Sequence, residues 1–105
     1  MQFYEKLHFL LNLTSSTNRM LAQAIRVDPS LVSRLRTGAR GLPRNQKYIK
    51  AMARYFAGRC TTDYQRQALS EMLGFRHRIP ADTERLPDIL YDWLCGDTDE
   101  VSRFM

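Results

Sequence analysis

Residues 17–38, TNRMLAQAIRVDPSLVSRLRTG, carry two apolar stripes of helical period separated by a short break, and this pairing constrains the fold more than any other stretch. Leu21, Ala22 and Ile25 share one face of the first segment, while Leu31, Val32 and Leu35 share one face of the second. Both predicted helices therefore bury a stripe. Between them, Arg26-Val27-Asp28-Pro29 has the chemistry of a tight turn. Asp28 is a natural N-cap, Pro29 suits the first helical position, and Val27 can plug the angle between the helices. Thr37-Gly38 then stops the second helix, because glycine takes the left-handed conformation without a Cβ penalty.

The flanking segments are also helical. Phe3, Leu7, Leu10 and Leu11 fall on one face of residues 2–13, with Gln2, Glu5, Lys6 and Asn12 between them. Thr14-Ser15-Ser16-Thr17 breaks that helix, and either Ser16 or Thr17 can cap the next. After Gly38 a loop punctuated by Gly41 and Pro43 leads into a fourth helix over 44–57, with Ile49, Met52, Ala53 and Phe56 inward and Lys47, Lys50 and Arg54 outward. Residues 58–62 read as a linker. Thr62 or Asp63 caps a fifth helix striped by Tyr64, Ala68, Leu69, Met72 and Leu73 and ended by Gly74. Residues 75–81 form a basic loop in which Pro80 disfavours helix at Ile79. Asp82 or Thr83 caps a sixth helix, whose buried face is Leu86, Ile89, Leu90, Trp93 and Leu94, with Pro87 in or near its first turn and Gly96 at its end. The expected fold is all-α: a small bundle of five to six helices containing a helix-turn-helix, with a core over 1–57 and a helical extension over 58–105. The acidic tail ends on Val101, Phe104 and Met105, which fits either a chain that continues into a further domain or a tail folded back on the core.

Charge divides the chain in two. Residues 1–60 hold eleven Lys/Arg against Glu5 and Asp28, a balance of +9, whereas residues 61–105 hold five against nine carboxylates, a balance of −4. Only the first half is suited to face a polyanion. No signal peptide, low-complexity tract or apolar run of about 18 residues is present, so a soluble, cytoplasmic protein is expected. Cys60 and Cys95 lie outside any CxxC spacing and read as reduced, mostly buried thiols rather than a disulfide or a metal site with His8 or His77. An enzyme is the poorest reading. There is no glycine-rich phosphate loop and no His/Cys/carboxylate cluster at ligand spacing, so no cofactor, metal or catalytic residue is expected.

The 17–38 stretch resembles the helix-turn-helix of the Cro/XRE-like phage-repressor family. The resemblance lies in Leu21-Ala22, Ile25, Val27, Ser30, Val32, Ser33, Leu35 and Gly38, and with the neighbouring helices it extends over roughly residues 1–57. One departure is Arg26, which stands where the family usually has glycine; a left-handed backbone there costs a non-glycine residue about 1 kcal/mol. The resemblance implies a lambda-repressor-like fold of bacterial or phage origin that binds double-stranded DNA as a homodimer. Carried over by position, the base-reading residues are Pro29, Ser30 and Arg34, with Ser33 between them. Arg34 can bind guanine O6 and N7 bidentately. The phosphate contacts implied are Asn18, Arg36, Thr37, Arg40 and Arg44. Arg44 has a minor-groove alternative, and Arg36 the alternative of an ion pair with Glu5. Asp28 is adverse near phosphate, so its capping role must outweigh local repulsion.

These readings predict a transcriptional regulator, acting alone as a repressor or as the reading head of a larger protein. Two half-sites about 34 Å apart would multiply affinity and discrimination. Tyr91 and Trp93 on the sixth helix are candidates for the dimer interface, against core packing for Trp93. A protein-interaction adaptor, or an antitoxin, is the competing reading; DNA binding with a flat salt response would favour the adaptor. Tyr4, Tyr48, Tyr55 and Tyr64 have the chemistry to stack on single-stranded bases, but their helical spacing favours packing.

Overall fold

In the computed structural model, residues 2–74 and 84–96 are described, and they form six α-helices with no strand among them. These are α1 (Phe3–Leu13), α2 (Asn18–Ile25), α3 (Pro29–Thr37), α4 (Gln46–Arg59), α5 (Asp63–Leu73) and α6 (Leu86–Cys95). The 75–81 loop, the Asp82 and Thr83 cap residues and the 97–105 tail lie outside the described residues.

Local chemistry sets most of the helix ends. Thr17 caps α2 by accepting the Met20 N–H at 3.1 Å. Ser16 instead turns inward, and its hydroxyl joins a buried chain from Thr14 Oγ1 at 2.8 Å to Tyr55 OH at 2.9 Å. Asp28 caps α3 through the Ser30 N–H at 2.8 Å, with Pro29 in the first turn. Asn45 caps α4, so that helix starts two residues later than predicted and runs on through Gly58 to Arg59. Thr62 and Gln65 cap α5 reciprocally. Gly38 and Gly74 end α3 and α5 in left-handed backbone, with φ of +85° and +82°.

Arg26 is left-handed as well, with φ +61° and ψ +50°. The Val27 N–H returns to Ala22 O at 3.0 Å and closes the turn, so the fold holds arginine in a conformation better suited to glycine. Replacing Arg26 with glycine relieves about 1–2 kcal/mol of strain and adds about 0.4–1 kcal/mol of unfolded-state freedom. The net expectation for Arg26→Gly is a stabilisation of about 0.5 kcal/mol, read as a melting temperature about 2–4 °C higher. A lower melting temperature would mean that the arginine side chain contributes more than its backbone costs.

One core joins the helices. Phe3, Leu7, Leu10 and Leu11 of α1 meet Leu21, Ala22 and Ile25 of α2, Val32 and Leu35 of α3, and Ile49, Met52, Ala53 and Phe56 of α4. The sixth helix lies along α4 and adds Leu86, Leu90 and Leu94 at i, i+4 and i+8. Ile89 and Trp93, predicted to be inward, are half-buried at the edge of this face. Trp93 packs edge-on against Phe9, with centroids 6.3 Å apart. The fifth helix faces inward through Arg66, Leu69 and Ser70, which leaves Tyr64 77 % exposed rather than on the predicted stripe.

Lys6 departs most from its sequence pattern, being only 4 % exposed although it stands among polar residues of α1. Its ammonium donates to Trp93 O at 2.6 Å and to Gly96 O, and sits 5.4 Å from the Trp93 ring centroid. The carbonyl end of α6 carries the negative pole of its dipole, and a cation there satisfies acceptors the helix leaves open.

Candidate functional site

The third helix presents two unlike faces. Val32 and Leu35 are buried and Leu31 half-buried, while Pro29, Ser30, Ser33, Arg34 and Thr37 are all exposed. Those five positions follow the i, i+1, i+4, i+5, i+8 pattern of a single outer face. Its only carboxylate neighbour in sequence is Asp28. The backbone N–H of Ser30 holds the Asp28 carboxyl below its ordinary range, the Ser30 hydroxyl adds to the effect, and the Arg34 charge contributes least. Thr37 turns its hydroxyl back to Arg34 O at 3.3 Å.

From Pro29 to Thr62 the sequence has eight Lys/Arg and no carboxylate. Arg40 and Arg44 stand exposed on the loop after α3, and Lys47 on the first turn of α4. The loop is tied to its helix by the Arg40 N–H, which bonds Arg34 O at 3.1 Å after the left-handed Gly38. No side chain fits easily at Gly38, where a Cβ would come 3.2 Å from the Tyr4 ring. Between loop and helix, Arg40, Leu42, Arg44 and Tyr48 help to line a cavity of about 450 Å³.

The other two phosphate candidates are bonded to each other. Arg36 is half-buried and donates from Nη1 to Asn18 Oδ1 at 3.0 Å, from Nη2 to Asn12 Oδ1 at 3.1 Å and from Nε to His8 Nδ1 at 3.1 Å. These bonds take the place of the alternative ion pair with Glu5, whose carboxylate accepts the Gln2 N–H at 2.8 Å at the start of α1. Arg36 thus fastens α3 to both α1 and the first residue of α2. His8 and Asn12 were not singled out in sequence as site residues. Their i, i+4 spacing on the polar side of α1 is a signal for a shared partner, but nothing in the pattern names Arg36 as that partner.

The remaining chemistry is sparse. Among the described residues no three His, Cys, Asp or Glu side chains gather as a metal site, and no helix is long and apolar enough to cross a membrane. Cys60 is buried and its thiol is pushed up to about 11 by desolvation, against the opposing charge of Arg66. The Arg66 guanidinium is itself held by Thr61 O and Asp63 Oδ1, each at 2.6 Å. Tyr91 is half-buried, with the Lys50 ammonium 5.6 Å from its ring centroid. Compared with protein families, with curated proteins and with solved structures, the chain matches none.

Proposed function

We propose that the protein is a sequence-specific double-stranded DNA-binding regulator of transcription acting in the cytoplasm, with α3 laid in the major groove and two copies on adjacent half-sites. The observation that carries this reading is the outer face of α3, polar and exposed from Pro29 to Thr37, beside the carboxylate-free run that holds Arg40, Arg44 and Lys47. An α-helix fits the width of the major groove, where all four base pairs are distinguishable. In this arrangement Pro29 contacts a thymine methyl or a sugar, Ser30 and Ser33 meet base edges, and Arg34 takes a guanine. Asn18, Thr37, Arg40, Arg44 and Lys47 meet the backbone, which sets register and carries no sequence information.

The test is selection of bound fragments from a random duplex pool. Enrichment of a motif with two related halves about one helical turn apart is expected, and failure to enrich any motif would overturn the proposal. On the selected site Arg34→Ala should lose about 1–3 kcal/mol, roughly 5- to 150-fold in affinity, and should relax the preference at one base position. An equal loss on random duplex would instead place Arg34 on the backbone.

A further inference from the structure

We infer that Arg36 is a positioning residue, which acts on DNA by aiming the Asn18 side-chain amide at a phosphate rather than by touching the phosphate itself. This rests on the DNA-binding reading above and assigns a mechanism to one part of that surface. The geometry that carries it is the fan of three bonds from one guanidinium, to Asn18 Oδ1, Asn12 Oδ1 and His8 Nδ1, at 3.0, 3.1 and 3.1 Å.

Arginine has donors and no acceptor, so each partner must offer a lone pair to it. Asn18 therefore presents its oxygen to Arg36, and its NH₂ group points to the other end of the amide. A free asparagine can offer either end of its amide to a ligand; with its oxygen taken by Arg36, this one has its NH₂ donors left to offer, the polarity an anion requires. His8 must present an unprotonated Nδ1, so its neutral form carries the proton on Nε2. All three acceptors are neutral side chains, so the guanidinium charge is not cancelled within the fan and polarises the Asn18 amide in the same direction.

Direct contact between Arg36 and phosphate is the competing arrangement; three of the five N–H donors are already used in these bonds, so a half-buried guanidinium would have to reach phosphate through the remaining two. The positions differ accordingly: Arg40 and Arg44 stand exposed on the loop beyond α3, whereas Arg36 sits between helices.

A double-mutant cycle with Arg36→Met and Asn18→Ala separates the two arrangements, with affinity for the selected operator and for random duplex measured across salt concentrations. Arg36→Met should weaken binding about tenfold on both duplexes, the size of one charge-assisted hydrogen bond, and should leave the slope of log affinity against log salt unchanged. In the Asn18→Ala background the same substitution should change affinity less than twofold. An equal loss in both backgrounds, with the slope shallower by about 1, would make Arg36 a direct phosphate contact and overturn the inference. No loss in either background would overturn it too.

Asn18→Asp keeps the test decisive if Arg36→Met does not fold. A carboxylate strengthens the bond to Arg36 but turns an acceptor toward the phosphate, so DNA binding should fall more than tenfold while the melting temperature holds or rises. Unchanged DNA binding by Asn18→Asp would sink the inference. If the unaltered protein binds no duplex, the DNA-binding reading itself fails; if it binds and the cycle shows no coupling, only the role of Arg36 fails.

Discussion

Raising the salt concentration from 50 to 200 mM is expected to weaken binding to the selected operator by about two-thousandfold if two copies occupy it, and by only about fortyfold if one does. The prediction follows from counting the cations free to neutralise phosphates. Arg40, Arg44 and Lys47 are exposed beside α3, whereas Arg36 is bonded within the fold and Arg34 is assigned to a base. Each neutralised phosphate contributes about −0.9 to the slope of log affinity against log salt, so three per copy give about −2.7 and six give about −5.4. Titration of labelled duplex at four or five salt concentrations measures the slope directly. A value near zero would remove the polyanion from the reading and favour the protein-interaction adaptor. A slope near −3.6 for one copy would point to a fourth cation, and Arg36 is the first candidate.

The parts of this surface that were legible in sequence are those set by neighbours in the chain. Asp28-Pro29 specifies the start of α3, Gly38 specifies its end, and helical period separates Val32 and Leu35 from Ser30, Ser33 and Arg34. The Arg26 turn was legible only as a departure. Its left-handed φ of +61° shows tertiary packing overriding a local preference of about 1 kcal/mol.

What local pattern could not supply is the set of side chains that meet across long sequence separations. Arg36 reads as a phosphate contact or a partner for Glu5 until α1 brings His8 and Asn12 beside it. Lys6 lies at a position that periodicity assigns to a polar face, yet it is buried because the carbonyl end of α6, about ninety residues on, offers its ammonium two acceptors. Tyr64 fails in the opposite direction. Its spacing fits an apolar stripe, but α5 turns Arg66, Leu69 and Ser70 inward, and Arg66 can be buried because Thr61 and Asp63 hold its guanidinium. Hydrophobic period alone ranks Tyr64 above Arg66 for burial, and hydrogen-bond satisfaction reverses the order.

Leu90→Ala should destabilise the protein by about 3 kcal/mol, within the range of about 2–5 kcal/mol for truncating a buried leucine, and lower its melting temperature by about 12–24 °C. Leu90 is fully buried on α6, which lies along α4 and shares one core with Ile49, Met52 and Phe56. The cavity left by the lost methyl groups sits between two helices fixed by other contacts, and incomplete collapse there sets the cost. A loss of this size is a large share of the 5–15 kcal/mol typical of a whole domain. Tyr64→Ala, at an exposed position, is the control and should move stability by no more than about 0.5 kcal/mol. Leu90 is on α6 and belongs neither to α3 nor to its loop, so the variant should bind DNA with unchanged affinity and salt slope at temperatures where it is folded. Binding should disappear along with the unfolding transition. A loss below about 1 kcal/mol on thermal or urea unfolding would make α6 an appendage to a bundle complete without it, and residues 1–57 would then suffice as the reading head. The expected loss requires α6 as part of the support that holds α4, and through α4 the helix pair α2 and α3, in place.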